Sequence, residues 1–210
     1  MRARKKPWAQ AEFEINNLLI ENPEAHKNNW RGYFGGDAPI FLEIGCGKGR
    51  FVTESAALNP GVNFLALERE RQIIVSGMRR ARENNLTNIG FILADVSRLP
   101  LFFAENEINK IYINFCDPWP NRKKWARRRL THKNFLDMYR PILDGRIHFK
   151  TDDAELFDFS LGQFSENGWT VENVSRDLHS GKIPEIIMTE YEEKFFNKNI
   201  PVMYCEAYYK

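Results

Sequence analysis

The chain alternates short apolar runs with segments of helical spacing, and this alternation limits the folds that it can adopt. The apolar runs have the character of buried strands and lie at 40–44, 62–68, 88–96, 110–117, 145–152, 169–178 and 201–210. Apolar residues recur at helical spacing between them, at 50–58, 71–85, 131–143 and 154–167. Strands that alternate with helices predict an α/β fold with a mainly parallel sheet.

Two of the predicted helices carry end signals. Thr131 stands where the third helix begins, and its hydroxyl could accept a hydrogen bond from a free backbone N–H group. Gly168 follows the fourth helix and can adopt the left-handed conformation that ends many helices. We therefore expect Thr131 to be an N-cap and Gly168 to be a stop.

Each of the first five predicted strands ends at or near an acidic residue. These acids are Glu43, Glu68, Asp95, Asp117 and Asp152. Solubility alone does not explain acids at five successive strand ends. In open α/β sheets, ligands bind outside the carboxyl ends of the strands, so the pattern predicts a carboxylate-lined binding site at one edge of the sheet.

A glycine-rich turn follows the first strand. Gly45, Gly47 and Gly49 lie in "EIGCGKGR", and glycine permits both positive φ and close approach of a ligand to the backbone. A tight turn without a ligand would also explain them. Glu68, at the second strand end, is placed to accept hydrogen bonds from two ribose hydroxyls, and Asp95 could meet an adenine amino group. Together they indicate a site for an adenosine ligand.

The residues around this turn distinguish between adenosine ligands. Arg50 occupies the position where the dinucleotide fingerprint has Gly or Ala. Glu43, two residues before the first glycine, would repel a phosphate but would suit an ammonium group. S-adenosylmethionine therefore fits better than NAD, and the chain has no Walker A motif.

The fourth strand leads into the basic tract, which we define as Asp117–Leu130, "DPWPNRKKWARRRL". Most charge runs are solvated surfaces or tails. This one directly follows a predicted ligand-binding strand end, and Trp119 and Trp125 lie among its cations. Cations that contact phosphates, beside aromatic rings that stack on bases, are typical of RNA binding.

Composition sets broad limits on location and organisation. The 210 residues carry a net charge of +2, so any nucleic-acid signal must be local. Three scattered cysteines fit a reducing compartment, and four isolated histidines predict no metal site. The basic N-terminus lacks an apolar signal region, and no run is long enough to span a membrane. We expect a cytoplasmic protein with a basic and polar extension at 1–38 and a catalytic domain at 39–210.

With "EIGCGKG", "ALE", "AD" and "DPWP" in this order, the chain resembles class I S-adenosylmethionine-dependent methyltransferases. The stretches "MRARKKPWA", "RRLTH", "IHFKTD" and "MTEYEEKF" narrow the resemblance to the bacterial tRNA (guanine-N7-)-methyltransferase family. It covers essentially the whole chain. It implies a Rossmann-like sheet of seven strands, the last antiparallel, with helices on both faces. It also implies methyl transfer to N7 of a guanosine in the tRNA variable loop.

The resemblance also implies site residues. Cofactor contacts are expected from Glu43, Gly45, Gly47, Glu68, Asp95 and Asp117, with Asp117 also the catalytic residue. Contacts to RNA or to the target nucleotide are expected from Asn121, Lys123, Lys124, Trp125, Arg127, Arg128, Asp152, Thr189, Glu190, Tyr191 and Glu192. The family usually has Lys at the position of Asn121, and here Arg122 or Lys123 could supply that charge. Thr189 and Glu192 also match a capping box, which predicts a helix start.

Several alternatives stay open on the sequence. A related methyltransferase could act on another RNA or on a small molecule, although a small-molecule enzyme has no need of the basic tract. A non-catalytic RNA-binding protein could retain a decayed cofactor fold, against which the intact acids and glycines argue. A dehydrogenase is more distant. Both a monomer and a homodimer are compatible with the sequence.

Overall fold

The computed structural model describes residues 7–120, 122–180 and 187–209, apart from the side chains of Lys123 and Lys194. Its sheet has seven strands in the order β3-β2-β1-β4-β5-β7-β6. The strands are β1 Ile40–Ile44, β2 Asn63–Glu68, β3 Ile89–Leu93, β4 Ile108–Asn114, β5 Leu143–Thr151, β6 Thr170–Ser175 and β7 Met203–Tyr208. β7 is antiparallel to both of its neighbours, β5 and β6, and the other pairs of neighbouring strands are parallel. This confirms the predicted mostly parallel sheet with an antiparallel last strand.

Helices cover both faces of the sheet. In the described residues they are α1 Ala9–Ile15, α2 Trp30–Phe34, α3 Arg50–Leu58, α4 Arg71–Glu83, α5 Leu99–Phe102, α6 Lys123–Ala126, α7 Lys133–Ile142, α8 Ala154–Glu166 and α9 Glu190–Phe196. The central strands are buried on both sides. In β1, Leu42 and Ile44 belong to one apolar cluster, whereas Phe41 packs against a second cluster on the opposite face. The near-continuous apolar character of these strands follows from this two-sided burial.

The predicted helices at 50–58, 71–85 and 154–167 correspond to α3, α4 and α8. The helix predicted at 131–143 is α7, but its start differs. His132 is its N-cap, and His132 Nδ1 accepts a hydrogen bond from the N–H of Asn134 at 3.1 Å. The prediction of Thr131 was wrong, because its hydroxyl is buried and lies 2.7 Å from Ser160 Oγ in α8. Gly168, with φ of +78°, follows the end of α8 as predicted.

The close packing of α3 against α4 depends on two glycines. A Cβ at Gly49 would lie 2.7 Å from Gly77 Cα, and a Cβ at Gly77 would lie 2.9 Å from the ring of Phe91. Gly49 also has φ of +73°. The third glycine of the turn therefore serves packing between two helices, whereas a Cβ at Gly45 or Gly47 would meet no described protein atom within 4 Å.

The segment before β1 packs on the sheet. The N–H of Ile20 donates to the carbonyl of Phe91 at 2.8 Å, and Leu19 forms a parallel bridge with Phe91 beside the edge strand β3. Trp30 is fully buried, and its indole N–H donates to the carbonyl of Phe102 at 2.8 Å. The division of the chain at residue 38 stays a prediction. Residues 1–6 of the predicted basic extension lie outside the described residues.

None of the helices in the described part of the chain combines the length and the apolar character that a bilayer crossing requires.

Candidate active site

The strand order places the predicted acids along one edge of the sheet. Strands β1 to β5 are parallel, so their carboxyl ends lie together. The order reverses between β1 and β4, because β2 follows β1 on one side and β4 lies on the other. Such a switch point opens a crevice outside the strand ends. The acids predicted from the sequence all belong to this edge.

The glycine turn lines the crevice. Gly45 and Gly47 have φ of +74° and +56°, and a Cβ on either would meet no described protein atom within 4 Å. The turn is held to β2, since the N–H groups of Gly45 and Cys46 both donate to the carbonyl of Leu67, at 2.8 and 3.0 Å. The backbone at these two glycines is therefore fixed in place and open to a ligand.

Glu43 is the most buried of the five strand-end acids, with only 3% of its surface exposed. Its Oε1 accepts a hydrogen bond from Asn114 Nδ2 at 2.9 Å. Burial raises the pKa of Glu43 to about 8, while the Asn114 hydrogen bond and the positive charge of Lys150 oppose that rise. Glu43 Oε2 and Asn114 Oδ1 are buried and have no hydrogen-bond partner among the described residues.

Glu68 and Asp95 are tied to the backbone around them. Glu68 Oε2 accepts from the N–H of Gly47 at 3.1 Å, and Oε1 accepts from the N–H of Arg69 at 2.8 Å. Asp95 Oδ1 accepts from the hydroxyl and the N–H of Ser97, at 2.6 and 2.9 Å, and these bonds lower the pKa of Asp95. Both carboxylates are held at the ends of their strands with part of their surface accessible.

These residues fit S-adenosylmethionine. Two buried oxygens without partners, on Glu43 and Asn114, suit the ammonium group of its amino acid portion. The space beside Gly45 and Gly47 would allow the cofactor to lie against the backbone of the turn. Glu68 lies one strand further along, where the ribose would lie. The described residues contain no group of three or more His, Cys, Asp or Glu side chains placed to hold a metal ion.

Asp117 lies in the loop that follows β4, and its side chain is exposed. Two non-glycine residues in this loop have positive φ, Phe115 at 50° and Trp119 at 34°. Such a conformation persists only where the surroundings enforce it. Arg129 does so at Trp119: its Nε and Nη2 donate to the carbonyl of Trp119 at 2.9 and 2.7 Å, and Nη2 also contacts Glu155 at 2.7 Å.

The basic tract has an exposed and a buried part. Arg122, Lys124, Arg127 and Arg128 are exposed, whereas Arg129 is 1% exposed and is not available to RNA. The sequence did not distinguish this arginine from its neighbours. Asn121 and the side chain of Lys123 lie outside the described part of the tract.

The two tryptophans of the tract form a stack. The rings of Trp119 and Trp125 lie 5.4 Å apart at an interplanar angle of 7°. The guanidinium of Arg128 lies 4.8 Å from the ring centroid of Trp119 and 4.7 Å from that of Trp125. Aromatic and cationic surface is therefore presented together beside Asp117.

Helix α9 carries the "TEYE" segment to the same edge. The predicted capping box between Thr189 and Glu192 is confirmed. Glu190 pairs with Lys48 of the glycine turn at 3.3 Å and with Arg80 of α4 at 3.0 Å. The ring of Tyr191 lies 6.5 Å from that of Phe115, at the end of β4.

Asp152 is half-buried at the end of β5, and burial raises its pKa. The structure thus brings the acids of five strand ends, the described cations of the tract and the start of α9 to one edge of the sheet.

Comparison with known proteins identifies the family. Residues 37–205 match a family model described as a putative methyltransferase. A tRNA (guanine-N(7)-)-methyltransferase of Halalkalibacterium halodurans is 45% identical over 100% of this chain and 96% of its own length. An enzyme of the same name from Clostridioides difficile is 40% identical over 99% of this chain and 98% of its own.

The chain belongs to the tRNA (guanine-N7-)-methyltransferase family.

Solved structures agree on the fold of this family member. The 16S rRNA methyltransferase KamB has a TM-score of 0.59 at 14% identity, covering 98% of both chains. A precorrin-6y C5,15-methyltransferase from Geobacter metallireducens has a TM-score of 0.57 at 15% identity, covering 83% of this chain and 81% of its own. At such identities the likeness concerns the Rossmann-like methyltransferase fold alone.

Three residues that contribute to the site were not predicted from the sequence. Asn114 binds Glu43, Arg129 holds the loop of Asp117, and Lys150 lies buried in β5 at a hydrogen-bond distance from Glu192. A lysine inside the apolar strand "IHFKTD" is a signal that could have been used, since a buried lysine needs a partner. Asn114 and Arg129 carried no comparable signal.

Proposed function

We propose that this family member transfers a methyl group from S-adenosylmethionine to N7 of a guanosine in the variable loop of tRNA. The observation that carries the proposal is the full-length similarity to relatives named for this activity. The exposed cations and stacked tryptophans beside Asp117 support an RNA substrate rather than a small molecule.

Methyl transfer to N7 requires alignment of the two reacting groups more than it requires a general base. N7 of guanine has an unprotonated lone pair in the ring plane, so no side chain needs to expose it. S-adenosylmethionine, when bound, supplies the activated methyl group. The protein must hold N7 in line with that group, and such orientation can account for a large part of a rate enhancement. Glu43, Asn114, Glu68 and Asp95 would hold the cofactor.

Asp117 would stabilise the charge that develops on the purine. Methylation at N7 places positive charge on the ring and acidifies its N1–H. A carboxylate that accepts hydrogen bonds from N1–H and the exocyclic amine is bound more strongly as that charge grows, which favours the transition state. Asp117 is exposed toward solvent in a loop that Arg129 immobilises, so it is available for this role.

The remaining predicted residues would bind RNA. Lys124, Arg127 and Arg128, with Asn121 and Lys123 of the same tract, would contact phosphates, and Trp125 would stack on a base. Asp152 and the start of α9, from Thr189 to Glu192, would form the wall around the target nucleotide. If about three phosphates are neutralised, the logarithm of tRNA affinity should fall with the logarithm of salt concentration with a slope near −2 to −3.

A tRNA partner also argues for a location in the cytoplasm, in agreement with the scattered cysteines. For oligomeric state we retain the expectation of a monomer or a homodimer, which sedimentation of the purified chain would distinguish.

Transfer of label to tRNA tests the function directly. An unmodified tRNA transcript is incubated with the chain and methyl-labelled S-adenosylmethionine, and the labelled base is mapped. We expect label at N7 of one variable-loop guanosine, and none on a matched transcript in which adenosine replaces that guanosine. Label on 16S rRNA but not on tRNA, or label at another base, would overturn the proposal.

A further inference from the structure

Two opposite charges are buried together where α9 meets the sheet. Lys150 Nζ of β5 lies 2.7 Å from Glu192 Oε2 of α9, and the two side chains are 1% and 0% exposed. Removing a charge from water is unfavourable unless a partner and hydrogen bonds compensate for it. A pair this deeply buried therefore constrains the geometry of the two elements that it joins.

Glu192 connects three stretches of chain. Its Oε2 also accepts from the N–H of Thr189 at 3.2 Å, and its Oε1 lies 3.3 Å from Nε2 of His179, in the 3-10 helix Leu178–Ser180. Lys150 Nζ donates in addition to the carbonyl of Ile187 at 3.2 Å. The pair thus anchors the start of α9 to β5, and Glu192 also lies against the 3-10 helix.

The same burial argues against contact between Glu192 and a substrate. A side chain with no exposed surface does not reach a nucleotide in the crevice. The accessible member of the segment is Tyr191, which is 59% exposed and stacks on Phe115, two residues before Asp117. A displaced α9 would therefore change the wall of the crevice beside Asp117.

We propose that Glu192 and Lys150 are positioning residues: their buried ion pair fixes α9 so that Tyr191 faces the target guanosine, and Glu192 itself does not touch RNA. The inference rests on the proposed tRNA substrate, because the readout is tRNA binding.

Variants of the buried ion pair can distinguish positioning of α9 from direct contact between Glu192 and RNA. Removing one partner leaves an uncompensated buried charge, whereas neutralising both partners is far less destabilising. In the pair of variants Lys150→Met and Glu192→Gln, glutamine also keeps the acceptor that the capping box needs. The double variant therefore removes the charges and retains the helix start.

The experiment compares the full-length wild type, both single variants and the double variant. It measures Tm, the KM for tRNA, kcat and the Kd for S-adenosylmethionine. We expect Lys150→Met to lower Tm by roughly 6–20 °C. We also expect it to raise the KM for tRNA about tenfold or more, which corresponds to a loss of about 1.4 kcal/mol of binding free energy. The double variant should recover Tm, with a KM within about threefold of wild type.

A surface ion pair provides the matched control. Arg176 and Asp158 pair across α8 and the end of β6 with side chains 61% and 59% exposed. Arg176→Met and Asp158→Asn, alone or together, should leave Tm and the KM for tRNA unchanged, because exposed pairs contribute little.

A double variant that recovers Tm but keeps a raised KM for tRNA would show that Glu192 contacts RNA, and would overturn the inference. Wild-type hydrogen exchange supplies an independent measurement that needs no variant to fold. The N–H groups of Thr189 and Glu192, which form the capping box, should stay protected when tRNA binds. Loss of that protection would also overturn the inference.

Failure of the proposed function can be distinguished from failure of this inference, because in the first case the wild type would methylate no tRNA at all.

Discussion

At the scale of single residues, Glu43, which we propose to bind the cofactor, lies where a charged carboxylate is unfavourable. Its carboxyl group is almost entirely removed from water, and burial raises its pKa to about 8 despite the Asn114 hydrogen bond. An ammonium group beside it would favour the charged form. The same burial that prepares Glu43 for a cation therefore makes the carboxylate unfavourable in the ligand-free protein.

The pH dependence of folding stability should show the effect of burying the Glu43 carboxyl group. In the folded chain Glu43 keeps its proton up to about pH 8, whereas in the unfolded chain it loses the proton near 4.5. The folded state thus binds more protons between these values, and its stability must fall as pH rises through that window. We expect the free energy of unfolding of ligand-free wild type to fall relative to Glu43→Gln by up to about 1.4 kcal/mol per pH unit.

Urea denaturation of both proteins from pH 5 to pH 8 measures the difference between their free energies of unfolding. The contributions of the other titrating groups cancel in that difference, because both proteins contain them. Parallel pH profiles for wild type and Glu43→Gln would contradict the expected effect.

Asp117 belongs to the same scale but, unlike Glu43, it is exposed. The variant Asp117→Asn should keep the Kd for S-adenosylmethionine within about threefold and lower kcat by about 100-fold or more, because an amide does not stabilise the developing charge as a carboxylate does. Calorimetry and labelled methyl transfer give the two quantities. Asp144→Asn, an exposed change at the opposite end of β5, is the control. Near-wild-type turnover by Asp117→Asn would exclude the catalytic role.

At the scale of elements, the loop after β4 is held by a residue from the tract that follows it. Arg129 is buried and donates twice to the carbonyl of Trp119, which has positive φ. Arg128, its neighbour, is exposed and lies over both tryptophan rings. Adjacent arginines in one charge run therefore have different environments, one inside the protein and one on its surface.

The two arginines should differ in salt dependence. Arg128→Met should weaken tRNA binding and reduce the magnitude of the salt slope by about 1, as expected for one lost phosphate contact. Arg129→Met should leave the salt slope unchanged and lower kcat, because the loop of Asp117 loses its support. Filter binding at several salt concentrations, with single-turnover kinetics, measures both. An equal change of slope in the two variants would show that Arg129 also contacts RNA.

At the scale of the whole molecule, the segment before β1 contributes to the main core. Trp30 lies in the same apolar cluster as β1, β4 and α7, and its indole N–H binds the carbonyl of Phe102. Arg82 of α4 donates to both oxygens of Glu12, at 2.9 and 3.0 Å, and so joins α1 to the sheet's helical layer.

Removal of Trp30 should therefore destabilise the whole chain. We expect Trp30→Ala to lower the free energy of unfolding by about 3–5 kcal/mol, from lost burial, a cavity and an unpaired carbonyl. Leu58→Ala is the control, since Leu58 is 70% exposed. Urea denaturation gives both values. A loss below about 1 kcal/mol for Trp30→Ala would mean that the segment folds separately from the sheet.

The sequence by itself determined the seven strands, the helices α3, α4, α7 and α8, the positions of the acids and glycines, and the capping box of α9. These features depend on periodicity and on residues a few positions apart, so they are readable along the chain. The N-cap of α7 was misplaced by one residue because Thr131 is engaged by Ser160, which lies far along the chain.

Only the tertiary structure decided which polar residues are buried and with whom. Asn114 joins Glu43, Arg129 joins Trp119, and Lys150 joins Glu192 across separate elements. The energy of each contact depends on its burial and on a partner that is distant in sequence. A one-dimensional pattern therefore identifies a charged residue but not whether it faces a substrate or supports the fold.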